Sequence, residues 1–174
     1  MRARDVVLFA VTGIFASASA QTLPSVFAPT DSNVRIEFLS SSAGWTGMLR
    51  LELPESMDLL TNRATRGASV GAGFFEAGTE LVFSYDILRG GDYTWFSDAP
   101  DMAEHFRFSS IEGEGGISGV LIEIEDLPRH RSDMDFNDAR FVAWFAPASS
   151  VPAPGAAALL GLSGLVFSRR GRPA

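Results

Sequence analysis

The chain contains no cysteine and no lysine, and it has only two histidines, His105 and His130. Without cysteine, a disulfide framework and any cysteine-based metal or redox site are excluded. The two histidines lie 25 positions apart, so a histidine-rich zinc site is not expected. We therefore expect an apolar core to hold the chain together, with a bound ion as a further source of stability.

The charge is strongly one-sided once the ends of the chain are set aside. All 14 basic residues are arginine, and 21 acidic residues give a net charge of −7. Residues 21–150 carry 9 arginines and 20 acids, a net charge of −11. Such a body repels nucleic acid and anionic lipid and attracts cations. General solubility and specific cation binding both remain open as the reason for this acidity.

Residues 1–20 have the pattern of a secretory signal peptide. A basic start with Arg2 and Arg4 is followed by an apolar run over residues 6–15 and by the small residues Ala18 and Ala20. This order predicts cleavage by signal peptidase after Ala20. The apolar run is short for a membrane span, although an uncleaved anchor remains the alternative.

The C-terminal end predicts a membrane tail. Residues 147–154 form a linker that ends in two prolines, which cannot continue a helix interior. Residues 155–174 contain an apolar helix followed by an arginine cluster, which should remain cytoplasmic. The apolar stretch is short, but snorkelling arginines extend it. We expect the domain outside the cell and the tail, at least transiently, in the inner membrane.

This tail resembles the PEP-CTERM sorting signal of Gram-negative bacteria. The residues that carry the resemblance are Val151, Pro152, Ala153, Pro154, Arg169 and Arg170. Ala153 replaces the glutamate that usually stands between the two prolines. The resemblance implies that an exosortase cleaves near the proline motif and delivers the protein to the cell envelope or beyond. A permanent single-pass anchor is the alternative.

Residues 21–146 predict an all-β domain. Apolar residues alternate with polar ones in six segments, centred near residues 36, 51, 83, 107, 122 and 143, and glycines and prolines separate them. The run from Phe141 to Phe145 is apolar on both faces, which is typical of a central strand. Residues 56–62 predict a short helix. About eight short strands favour a β-sandwich or jelly roll.

The candidate site is an acidic loop between the last two predicted strands. Its candidate ligands are Glu125, Asp126, Asp133, Asp135, Asn137 and Asp138. The i, i+2, i+4 spacing of Asp133, Asp135 and Asn137 can aim alternate oxygen ligands at one calcium ion. Met134 and Phe136 would then point into the domain. Crowded carboxylates repel each other, so a cation would stabilise them.

The acidic loop has a second interpretation that needs no ion. Asp and Asn side chains can hydrogen-bond their own backbone in an Asx-turn at a hairpin. Arg129 and Arg131 could neutralise the carboxylates in that case. An EF-hand is excluded, because no glycine follows the third ligand and no glutamate closes the loop at its twelfth position.

The same residues resemble the ending of domain of unknown function 4114, a bacterial domain of secreted and surface proteins. Glu125-Asp126-Leu127, then Asp133-Met134-Asp135-Phe136-Asn137-Asp138 and an apolar strand, carry the resemblance. It extends over roughly residues 70–146. A glycine-rich turn is replaced here by residues 129–131. The resemblance implies a β fold and an extracellular setting, with no established activity.

A second acidic stretch contains Asp92, Asp98, Asp101 and Glu104 beside Tyr93, Trp95 and Phe96. Aromatic rings beside carboxylates could bind a polysaccharide, or the rings could be packed into the core. No nucleophile elbow, P-loop or dinucleotide fingerprint is present. The sequence therefore predicts a non-catalytic, calcium-stabilised envelope or matrix protein, with an extracellular carbohydrate-binding module as the alternative.

Overall fold

The structure is a computed structural model, and it describes residues 22–148. The predicted signal peptide, the sorting motif at residues 151–154 and the arginine-rich tail lie outside the described residues. Strands make up 54% of the described residues and helical residues 5%, so the all-β prediction is confirmed. Within residues 22–148, no helix is long and apolar enough to cross a membrane.

The described residues form eleven strands and two short 3-10 turns. The strands are β1 (Thr22–Leu23), β2 (Val26–Phe27), β3 (Ser32–Ser40), β4 (Thr46–Leu53), β5 (Met57–Thr61), β6 (Ser69–Phe75), β7 (Glu80–Arg89), β8 (Thr94–Phe96), β9 (Phe106–Glu112), β10 (Ser118–Ile124) and β11 (Ala139–Pro147). The 3-10 turns are Met102–Glu104 and Glu114–Gly116.

The strands form two antiparallel sheets. The first has the order β1-β9-β10-β11-β3-β6, and the second has the order β2-β7-β4-β5 with β8 paired to β7. Strand β11 lies between β10 and β3, so its predicted central position is confirmed. Phe141 and Ala143 of β11 are fully buried on its inner face, and Val142 is buried on its outer face between the half-buried Arg140 and Trp144.

The two sheets bury their inner faces in a common core. On β3 the buried residues alternate with exposed ones, and Ile36 is fully buried. Leu49 of β4 and Phe83 of β7 are fully buried from the opposite sheet and belong to the same cluster. This period of two is the pattern that predicted the strands, because successive strand side chains point to opposite faces.

One predicted element is wrong. Residues 56–62 were expected to form a short helix, but Met57–Thr61 is strand β5, paired to β4 with Leu60 opposite Leu49. A local helical pattern over seven residues is weak, and the exposed edge of β4 offers backbone hydrogen bonds to an extended partner. Burial of Leu59 against the core adds to this preference.

Candidate metal centre

The acidic loop connects β10 to β11, and strand register brings its ends together. Ile124 at the end of β10 is the register partner of Ala139 at the start of β11. Glu125 follows Ile124, and Asp138 precedes Ala139. Glu125 and Asp138 therefore lie next to each other's strands, at the same end of the sheet. Their proximity follows from the register of β10 and β11.

Hydrogen bonds fix the backbone of the first two acidic residues. The Glu125 N–H donates to the carbonyl of His105 at 3.0 Å, and His105 Nδ1 lies 3.1 Å from the Glu125 carbonyl. The Asp126 N–H donates to Asp138 Oδ2 at 2.9 Å. The indole N–H of Trp95 donates to the Asp126 carbonyl at 3.3 Å. These hydrogen bonds hold in place the backbone that carries the carboxylates of Glu125 and Asp126.

Five of the six candidate ligands, all except Asn137, form two groups that share Glu125. Carboxylate oxygens of Glu125, Asp126 and Asp138 lie within 4.8 Å of one another, and so do those of Glu125, Asp133 and Asp135. Only 1% of Glu125 and 2% of Asp126 is exposed, whereas Asp133 and Asp135 are exposed. The centre therefore has a buried inner half and a solvent-facing outer half.

The inner half contains polar atoms without partners. Within the described residues, neither carboxylate oxygen of Glu125 has a hydrogen-bond partner, although Asp138 and Ser132 lie nearby. Asp126 Oδ2 has no partner among these residues either. Leaving a buried carboxylate unpaired costs several kcal/mol. A cation would satisfy buried carboxylate oxygens that have no hydrogen-bond partner and lie this close together.

The same crowding changes the acidity of both inner carboxyls. Burial, followed by the neighbouring Asp138, raises the pKa of Glu125 to about 7. Burial and then the charge of Asp138 raise the pKa of Asp126 to about 7. Without a cation, these carboxyls therefore retain protons at pH values where ordinary carboxyls are ionised.

Within residues 22–148, the nearby arginines do not pair with the carboxylates of the centre, although Arg107 Nη2 donates to the backbone carbonyl of Asp135 at 3.2 Å. Arg129 forms an ion pair with Glu104 at 2.7 Å, and the Arg131 guanidinium lies 5.6 Å from the ring of Trp45. Arg107 forms an ion pair with Glu123 at 3.2 Å. Among the described residues, no arginine forms an ion pair with a carboxylate of the centre. Arg129 and Arg131 therefore do not neutralise the carboxylates of the acidic loop through ion pairs.

The outer half is a tight turn. The Asn137 N–H donates to Asp135 Oδ1 at 3.0 Å, which is an Asx-turn, and the Asn137 amide also contacts Asp135 Oδ2. Met134 and Phe136 have φ angles of 58° and 57°, a left-handed conformation that is uncommon for such side chains. Phe136 is buried as expected, but Met134 is 37% exposed, so its predicted inward orientation is wrong.

Asn137 has a structural role in addition to any ligand role. Its carbonyl accepts hydrogen bonds from the Ser42 N–H at 3.1 Å and the Ser42 hydroxyl at 3.2 Å. The turn is thereby tied to the chain that follows β3. Features of both interpretations, the Asx-turn and the oxygen cluster, are present in the same loop.

The second acidic stretch does not extend the centre, but its aromatic residues support it. Tyr93 is stacked against both Trp45 and Trp95 at ring distances of 5.9 and 5.2 Å, and Trp95 is stacked on His105 at 3.6 Å. Tyr93 itself is 37% exposed. Phe96 is 43% exposed. This row of stacked rings reaches the acidic loop, where Trp95 and His105 contact the backbone carbonyls of Asp126 and Glu125.

Three residues at the centre were not found from the sequence. The sequence indicates Trp95 only as a member of an aromatic loop and His105 only as an isolated histidine. Tyr85, on the opposite sheet, has a fully buried hydroxyl without a partner among the described residues. Burial first, and then the charges of Asp126 and Asp138, raise the pKa of Tyr85. Only the pairing of the sheets places it there, so no local sequence signal could have identified it.

No protein-family model and no curated protein matches this chain.

Proposed function

We propose that the chain is an exported, exosortase-sorted protein of the cell envelope or extracellular matrix, and that its β domain is non-catalytic and stabilised by calcium. The domain would be a β-sandwich of the jelly-roll type. The observation that carries the proposal is the buried Glu125 carboxylate, both of whose oxygens lack partners while four further carboxylates surround it.

Calcium is the cation that this set of ligands suits best. The candidate ligands are all oxygens, which favours hard cations over zinc. Calcium takes about 6–8 oxygens in a flexible arrangement, whereas magnesium requires a nearly ideal octahedron. The candidate site is asymmetric, with a buried half and a turn on the solvent side. Such an irregular set of oxygens suits the flexible coordination of calcium better than an octahedron.

The proposed role of the ion is to crosslink the domain. It would join the end of β10, the start of β11 and the turn that contacts Ser42. A chain without cysteine that functions outside the cell has no disulfide to do this. Calcium is also abundant outside cells, where weak sites of about 10⁻⁴–10⁻³ M affinity are occupied.

The calcium proposal is tested by thermal unfolding of the full chain, kept in solution by a neutral detergent, first with excess EDTA and then with added calcium. A ligand that binds only the folded state stabilises it by about 2.7 kcal/mol at 100 times its Kd. For a domain of this size, that corresponds to a rise in Tm of roughly 10 °C. The rise should vanish in the double variant Asp135→Ala plus Asp138→Ala. If Tm is the same with EDTA and with calcium, the loop is a hydrogen-bonded turn only.

The export proposal is tested by intact-mass measurement of the protein recovered from the envelope or medium of an exosortase-containing host. We expect an N-terminus at Gln21 and a C-terminus near residues 151–154. A matched strain without the exosortase should retain the tail in its inner membrane. Recovery of the whole chain from the cytoplasm would contradict export.

A further inference from the structure

A groove lies on the outer face of the six-stranded sheet, away from the metal centre. It has a volume of about 660 Å³ and is lined by Arg35 and Glu37 of β3, Trp144 of β11 and the turn that joins β9 to β10. This volume lies within the range of small-molecule sites. The metal centre is at the Ile124–Ala139 end of the β10–β11 pair, whereas the groove is near its Gly119–Trp144 end.

The Trp144 side chain is held in place in this groove. Its indole N–H donates to Glu37 Oε2 at 2.9 Å. Its six-membered ring lies against two glycines: a Cβ on either Gly113 or Gly119 would be 2.7 Å from ring atoms. Gly119 is also the register partner of Trp144. The absence of side chains at both glycines is what allows the ring to lie against the sheet beside the groove.

Carboxylates surround this ring. Glu37 is paired with Arg35 at 3.2 Å. Glu112 and Glu114, both exposed at the groove, form no ion pair among the described residues. An indole face attracts cations, and so do two free carboxylates beside it. The groove therefore complements a positively charged ligand and repels anionic polymers.

We propose that this groove binds an oligosaccharide that carries amino groups. The apolar face of a sugar ring can pack on Trp144, while its ammonium groups pair with Glu112 and Glu114. A peptide fits this place less well, because extended peptides add to the free edge of a sheet. Here β11 and β10 each have strands paired on both sides, so they offer no free backbone groups.

The test is isothermal titration of the full chain in neutral detergent with a glucosamine oligomer at about pH 6, where exposed carboxylates are ionised. The variant Glu112→Gln plus Glu114→Gln should bind at least about tenfold more weakly, since it loses two charge-assisted contacts. The matched control is Glu55→Gln plus Glu76→Gln, which removes two exposed charges elsewhere and should bind like the original chain.

Two further probes separate the sugar from its charge. The N-acetylated oligomer has no ammonium groups and should bind more weakly, and oligolysine has charge without a sugar ring and should also bind more weakly. Binding should change tryptophan fluorescence, and the change should be lost in Trp144→Phe. No binding, an equal loss in both double variants, or binding of oligolysine as tight as that of the sugar would overturn the proposal. None of these results depends on calcium at the other end of the sheet.

Discussion

Glu125 and Asp138 lie at the end of the β10–β11 pair, each one residue beyond the register pair Ile124 and Ala139, and their carboxylate oxygens come within 4.8 Å of each other. Two acids this close on neighbouring strands destabilise the fold while both are ionised, and either a bound cation or a retained proton relieves the repulsion. Glu125 is also almost completely buried, so solvent cannot screen the repulsion. This opposition is the physical basis for the proposed ion.

Replacing Glu125 by its neutral isostere should separate the cost of the charge from the benefit of the ion. In EDTA at about pH 8, Glu125→Gln should raise the free energy of unfolding by about 1 kcal/mol or more, because an unpaired buried charge is removed. In calcium, the same variant should be the less stable protein. Chemical denaturation measures both, with Glu55→Gln as the control. A variant that is destabilised to the same extent in both conditions would contradict the account.

The calcium-free protein should lose stability as the pH rises toward neutrality. The pKa of Glu125 rises from 4.5 to about 7 and that of Asp126 from 3.8 to about 7 on folding. Between these pKa values the folded state binds more protons than the unfolded state. The contribution of the two carboxyls to the free energy of unfolding is therefore fully present below about pH 4 and is lost by about pH 7.

Burial lowers the pKa of His105, so that histidine acts in the opposite direction. The contribution of His105 to the free energy of unfolding is present above its ordinary pKa of 6.5, and it declines as the pH falls through the pKa of the folded state. The difference between the original chain and Glu125→Gln, measured by denaturation in EDTA from about pH 4 to about pH 8, isolates the glutamate. A difference that does not change with pH would contradict a raised pKa at Glu125.

The strands could be predicted from the sequence because one face of each is buried, as the alternation in β3, β4, β9 and β10 shows. The edge strand β5 could not, because its conformation depends on pairing with β4. The cluster of acids was visible in the sequence, since all six candidate ligands fall between Glu125 and Asp138. Their division into a buried and an exposed half depends on the fold, as does the approach of Tyr85 from the other sheet. Trp144 was recognised only as part of a strand, because Gly113 and Glu37 reach it through tertiary contacts.

Trp95 should report on the metal centre. Its indole N–H contacts the carbonyl of Asp126 at 3.3 Å, so a terbium ion bound in place of calcium would lie close to this ring. Excitation of tryptophan should produce terbium emission that calcium displaces. Trp95→Phe should remove most of the emission, whereas Trp144→Phe, at the other end of the sheet, should retain it. Equal emission from the two variants would place the ion elsewhere.

Substitution of Gly47 by alanine tests the packing of Tyr85 beneath the acidic loop. A Cβ on Gly47 would overlap the Tyr85 ring, which is fully buried, whereas a Cβ on Gly71 meets nothing within 4 Å. Both glycines lie in strands, so the pair is matched. Gly47→Ala should destabilise by about 1–3 kcal/mol through overpacking. Gly71→Ala should be neutral or stabilising by up to about 1 kcal/mol. Equal stabilities by denaturation would contradict this packing.

Isothermal titration of the EDTA-treated, dialysed full chain with calcium at about pH 8 tests the proposed site directly, because raised carboxyl pKa values no longer keep the ligands protonated at that pH. We expect saturable binding by the original chain and by Glu55→Gln, and no saturable binding by Glu125→Gln. Absence of binding to the original chain, or unchanged binding to Glu125→Gln, would contradict the claim that the buried Glu125 carboxylate holds a calcium ion.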